Sequence, residues 1–458
     1  MTRSFSRRDM LLGGSRALFA GACLQTLRGF RLMHESAMTA LPAGGTGYRA
    51  LVCLFLDGGN DSVNLFAPRD NAGYGIYSAS RGNLAVPQGD LLPITPQSGG
   101  DTRQWGVHPA APGIRTLFES GALSVVANVG TLLSPMTKAQ YVNNTVPKPL
   151  QLFSHSDQTT LWQLPSARDD VAWGWAGHMA DLTVALNGNS VLSPAISLDG
   201  SNRLLRGQVV VPYSVGLDGS TAVNGTWGGN GAARFATLRQ LFAASHAHAM
   251  ERQIADLGEQ AIELNDLVRG ALNNAPALST SFPNTPIGNQ LRMVARMINI
   301  RSTIAAERQV YFARQPGYDT HDDQLTRHPD LLTQLSEALV AFRAAMVELG
   351  LEDDVALCTM SEFGRTLTSN GRGSDHGWGG SHMVMGGGVM GRRFFGQMPD
   401  FTLGGPNDAG LGRMIPTTSV DQYAATLAKW YGISPGAQMS SLFPRLGEFA
   451  TPDLGFMG

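Results

Sequence analysis

The stretch YRALVCLFLDGGND, residues 48–61, constrains the fold more than any other segment of the chain. Its apolar run shows no polar alternation, so a strand made from it must be covered on both faces. That is the pattern of a central strand in a parallel sheet lying between two helical layers. The same kind of run recurs at 123–129, 191–200, 354–360 and 382–388, and 308–321 reads as a strand leading into a polar loop. Between these lie segments of helical periodicity, at 113–120, 232–272, 286–300, 328–350 and 419–432. Strands alternating with helices predict an α/β architecture, with a mostly parallel sheet sandwiched between helices. Residues 201–290 carry little strand signal and read as a helical insertion in one elaborated domain spanning 41–458. Gly258 is expected to break the long helical run there, and Pro329 is expected in the first turn of the helix that follows residue 328.

The first 40 residues are set apart from this reading. Arg7 and Arg8 stand directly before an apolar stretch from Met10 to about Leu24, the layout of a twin-arginine export signal, with cleavage expected in SAMTALPAGG. The expected location is therefore the periplasm or the exterior, and no further segment is long and apolar enough to span a membrane. The net charge of −2 comes without a dense basic stripe, which argues against nucleic acid as the partner. Beyond the signal, Cys53 and Cys358 both lie in strand-like runs and are expected as buried thiols.

In open α/β sheets ligands bind beyond the carboxyl ends of the strands. The polar residues that follow the expected strands are therefore the candidates. The first strand delivers Asp57, Asn60, Asp61, Ser62 and Asn64. The strand near 312 leads to Asp319 and His321, and the one at 354–360 to Glu362 and Arg365. The glycine-rich loop beyond carries Asp375, His376 and His382. Carboxylates and imidazoles suit zinc, manganese and related divalent ions. Carboxylates crowded without a cation would repel one another, whereas one or two ions could clamp a phosphoryl or sulfuryl group in transfer. DGGNDS lacks the glycine spacing of a dinucleotide fingerprint, and no Gly-x-Ser-x-Gly elbow stands between a strand and a helix.

The blocks LFLDGGNDSVNLFAP, LFSHSDQTTLWQ, GYDTHDDQ, SEFGRTLTSNGRGSDHGWGGSHMVMGGG and TTSVDQYAATLAKWYGI, in this order, resemble a bacterial exported family catalogued as domain of unknown function 1501. That family is similar to the alkaline phosphatase and sulfatase superfamily. The resemblance implies an alkaline-phosphatase-like fold with a metal site at the strand ends. It implies Asp57, Asp61, Asp319, His321, Glu362, Asp375, His376 and His382 as ligands or their supports, holding zinc, manganese or calcium. Ser62 is the nearest candidate nucleophile and Arg365 the candidate anion stabiliser. His155 belongs to a resembling block and is a further candidate to face the site.

Two readings follow. One is an exported metal-dependent hydrolase that cleaves a phosphate or sulfate ester of a small molecule or polymer. The other is a non-catalytic exported protein of the same fold that binds a metal or a partner.

Overall fold

The computed structural model describes residues 47–97, 101, 103–167, 170–188, 190–219 and 229–458, so the twin-arginine segment lies outside the described residues. Among the described residues the main sheet has nine strands: β1 Arg49–Asp57, β2 Leu123–Gly130, β3 Ala195–Ser197, β4 Tyr213–Ser214, β5 Arg308–Pro316, β6 Val355–Met360, β7 Gly380–Gly386, β8 Phe394–Phe395 and β9 Thr418–Ser419. Their order is β8-β2-β7-β6-β1-β5-β3-β4, with β9 paired to β2. Every pairing is parallel except those of β7, which runs antiparallel to both β2 and β6.

The unbroken apolar run of β1 explains its central place. Ala50, Val52, Leu54 and Leu56 enter the core on one face of the sheet, and Leu51, Cys53 and Phe55 the core on the other. Residues of the helices Pro112–Glu119, Pro286–Asn299 and Gln324–Glu348 fill the first core. Residues of Trp175–Thr183, Val420–Tyr431 and Ala437–Leu442 fill the second. The fold is thus α/β, with a mostly parallel sheet between helical layers. Cys53 and Cys358 meet across β1 and β6 as buried free thiols, their sulfurs 3.9 Å apart.

Two local expectations are corrected. Gly258 does not break the long helical run; the break falls earlier, at 244–248, and Gly258 lies inside the second helix, Ala249–Asn274. Its missing side chain makes room for the Phe242 ring of the preceding helix, Gly231–Ala243; a Cβ there would lie 2.4 Å from that ring. The helix read from residue 328 starts earlier, at Gln324, behind an Asp323 with φ of 53°, so Pro329 lies past its first turn. Among the described residues, no helix is long and apolar enough to cross a membrane.

Candidate functional site

Three parallel strands end side by side: Asp57 closes β1, Pro316 closes β5 opposite it, and Met360 closes β6. The chain beyond each carries a candidate residue. Because β7 is antiparallel, its start lies at this same end of the sheet, and the hairpin Arg365–Ser369/Ser374–His376 that precedes it delivers Asp375 and His376 there. His155 arrives from the first turn of the helix His155–Gln163. Gly58 fixes the approach of two of these segments. Its φ is 120°, and a Cβ would lie 2.2 Å from the Asp319 backbone nitrogen.

The centre is Asp319. Its Oδ1 lies 3.1 Å from His321 Nε2 and 3.3 Å from His376 Nε2, and its Oδ2 lies 3.4 Å from His155 Nε2. The two Nε2 atoms of His321 and His376 are 2.8 Å apart. One potential ligand atom from each of His155, Asp319 and His376 fits within 4.8 Å of the others. The rings also stack, His376 on Phe363 and edge-on to His155.

Each Nδ1 in the cluster already has an acceptor. His155 Nδ1 meets Glu362 Oε1 at 2.7 Å, His321 Nδ1 meets Asp375 Oδ1 at 3.0 Å, and His376 Nδ1 meets the Phe153 carbonyl at 2.7 Å. A carbonyl can only accept, so His376 carries its proton on Nδ1, and the carboxylates favour the same tautomer in the other two rings. Three Nε2 atoms then converge on one carboxylate. Among the described residues, the buried His155 Nε2 has no hydrogen-bond partner.

The titration of the cluster follows from these contacts. Glu362 holds His155 above the usual imidazole range, against the opposing effect of burial. Burial pushes His376 down, its hydrogen bond to Phe153 notwithstanding. At Asp319 burial alone would raise the carboxyl, but Arg365 and the neighbouring histidines outweigh it and keep the group low. Asp57 stands beside the cluster, raised by burial and by Glu362, and is paired with Arg314 at 2.9 Å.

The structure brings Asp319, His321, His376 and His155 together. Glu362 and Asp375 reach the cluster through the histidines they orient; Glu362 is further held by the Gly58 N–H, 2.9 and 3.2 Å from its two oxygens. Other expected members are not at the cluster. Asp61 is fully buried against Arg81 and accepts from Gln324 Nε2 at 2.5 Å; Arg81 outweighs burial and keeps its carboxyl low. Ser62 is buried, and its hydroxyl accepts from the Ser381 N–H at 2.8 Å. Asn60 is engaged with Ser361 and His328, and Asn64 with Tyr77, Arg81 and the Leu84 carbonyl. His382 is buried between Trp162 and Tyr423, where burial pushes its pKa down to about 3. Arg365 touches Asp319 at 3.0 Å, but its side chain has no exposed surface. Its remaining donors go to the Gly58 carbonyl and to Ser374.

Two contributors escape sequence reasoning. Phe153 acts through its carbonyl, which any residue type supplies. Arg413, whose Nε donates to the His376 carbonyl at 3.0 Å, comes from a loop outside every motif.

The model of the family described as "Protein of unknown function (DUF1501)" matches residues 216–448. No curated protein matches the chain. Among solved structures it is similar to the C-terminal periplasmic domain of EcEptC from Escherichia coli in complex with Zn. That likeness has 11% identity, covers 89% of this chain and 91% of that one, and has a TM-score of 0.34. It is similar to the PsFucS1 sulfatase from Pseudoalteromonas sp. at 12% identity, covering 87% and 74% of the two chains, with a TM-score of 0.33. It is also similar to Ps i-CgsB in complex with k-i-k-neocarrahexaose at 8% identity, covering 89% and 78%, with a TM-score of 0.34. The family match spans just over half of the chain, from the end of β4 through the Asp319 and His376 segments, and the protein belongs to the DUF1501 family.

Proposed function

We propose that the cluster around Asp319 binds a divalent cation and that the protein hydrolyses a phosphate or sulfate ester there. One observation carries this reading: His155, His321 and His376 all have Nδ1 occupied, so their Nε2 atoms are the ones turned toward the Asp319 carboxylate. Two imidazole Nε2 atoms 2.8 Å apart beside an ionised oxygen repel unless a proton or a metal ion lies between them. Rings oriented through Nδ1 by a carboxylate or carbonyl are the usual support of metal-ligating histidines. The donor set favours a first-row transition ion such as zinc over calcium, which takes six to eight oxygens.

When bound, such an ion supplies a Lewis acid that polarises the ester and lowers the pKa of water. The chain's own residues do the rest. Asp319 and the three histidines would hold the ion, while Glu362, Asp375 and the Phe153 carbonyl keep the rings in the right tautomer. Arg365 holds Asp319 in place. With Ser62 turned to the Ser381 amide, water is the nucleophile in this reading. Among the described residues, no hydroxyl or thiol is hydrogen-bonded to His155, His321 or His376. That last observation also favours a second reading, in which the centre binds metal without turnover.

Turnover of aryl phosphates and aryl sulfates by the zinc-loaded protein separates the two. The first reading expects hydrolysis that disappears in His376→Ala. Metal-loaded protein inert toward both ester classes would leave only the second.

A further inference from the structure

Arg365 is spent on the protein itself, so a different cation must meet the substrate's anionic group. Arg413 meets the requirement. Its Nε donates to the carbonyl of His376, and its guanidinium lies over the Phe153 ring, 4.3 Å from the centroid. Phe153 in turn accepts the His376 Nδ1 proton through its own carbonyl. Arg413 and Phe153 therefore pack on each other and both grip the residue whose Nε2 faces Asp319. Arg413 is half-buried, and among the described residues neither of its Nη atoms has a hydrogen-bond or ion-pair partner. The nearby Asp408 does not serve, since its oxygens accept the backbone N–H groups of Gly404, Gly410 and Gly412.

A guanidinium whose plane is fixed by an aromatic ring, with two outer nitrogens free, matches the edge of a tetrahedral oxyanion. We propose that Arg413, held flat on Phe153, is the recognition residue for the anionic group of the substrate, and that this group is a tetrahedral oxyanion of a monoester. The proposal rests on the reading of the Asp319 cluster as a metal centre for ester hydrolysis.

The test uses the full chain loaded with zinc, titrated calorimetrically with inorganic phosphate and, separately, with inorganic sulfate. Bound metal is counted in every variant. R413Q is expected to weaken oxyanion binding by about ten-fold or more, the loss of one charge-assisted pair, with one zinc still bound. R413K is expected to recover part of that loss through a single donor. Whichever oxyanion binds more tightly to the wild type assigns the ester class. Where a substrate is turned over, KM should rise in R413Q more than kcat falls. Wild-type affinity in R413Q overturns the proposal and leaves the metal centre intact. A lost zinc in R413Q that R413K restores without restoring oxyanion affinity also overturns it, since Arg413 would then only brace His376. A wild type that binds neither zinc nor oxyanion overturns this proposal and the functional reading together.

Discussion

An imidazole offers two nitrogens, and the partner of one decides what the other can do. At His155 that partner is Glu362, which is itself held by the Gly58 amide. Glu362→Gln should weaken metal affinity by about 10- to 100-fold, as expected for loss of an orienting carboxylate. Competition with a chromogenic chelator measures this, and an unchanged affinity would mean that Glu362 has no such role. Metal release should also follow protonation of the Nε2 atoms as the pH falls. Away from the cluster, His328 and His382 are kept neutral by burial, with pKa values of about 4 and about 3 against an ordinary 6.5. The stability each contributes is complete above pH 6.5. It is lost as the pH falls toward those values, because the unfolded chain takes up the proton first. Asp421 works in the opposite sense. Burial raises it to about 6, so its contribution is present at low pH and lost as the pH rises through 6. A tenfold change in proton affinity is worth roughly 1.4 kcal/mol, so the two histidines together outweigh the one carboxylate. The thermal midpoint should therefore drop between pH 6.5 and 4, and His382→Phe should make that drop shallower. An identical slope in the variant would contradict the assignment. The sequence shows residue types at strand ends, which is how Asp319, His321 and His376 are legible. It does not show side-chain direction. Asp61 and Ser62 follow Gly58 by only a few residues, at the start of the short helix Ser62–Leu65, yet turn into the core, where Arg81 and the Ser381 amide hold them.

At the scale of elements, the glycines that matter are those that allow close approach. Gly258→Ala would raise helix propensity by about 1 kcal/mol in an open helix. Here the added Cβ meets the Phe242 ring at 2.4 Å, so the variant should instead lose about 1–2 kcal/mol. Amide exchange should quicken across Gly231–Ala243. A stabilised variant would show that the two helices do not pack as described. The run 232–272 was legible as helical because its period is local. The role of Gly258 was not, because it depends on a residue 16 positions away, brought close only by the turn between the helices. The direction of β7 was hidden for a related reason. HMVMGGG reads equally well as a parallel or an antiparallel strand, and the short hairpin Arg365–Ser369/Ser374–His376 decides it by reversing the chain just before. That reversal also carries Asp375 and His376 back to the end of the sheet where β1, β5 and β6 stop.

At the scale of the whole molecule, the sheet is covered on both faces, and its carboxyl edge gathers charged groups from segments up to 221 positions apart, His155 and His376 among them. The alternation of apolar runs and helical periods made the layered architecture readable. The convergence of distant segments was readable only as an inference from where strands end. A cation that binds the folded chain and not the unfolded one should stabilise the whole fold, by about 2.7 kcal/mol at a hundred times its dissociation constant. Chelation should correspondingly lower the thermal midpoint of the wild type and leave that of Asp319→Asn unchanged. The most direct measurement is elemental analysis of the purified full chain and of Asp319→Asn after exposure to zinc and exhaustive desalting. The account predicts one tightly held transition-metal ion per wild-type chain and none in the variant, with both folded by circular dichroism. A wild type that retains no metal, or a variant that retains as much as the wild type, would contradict it.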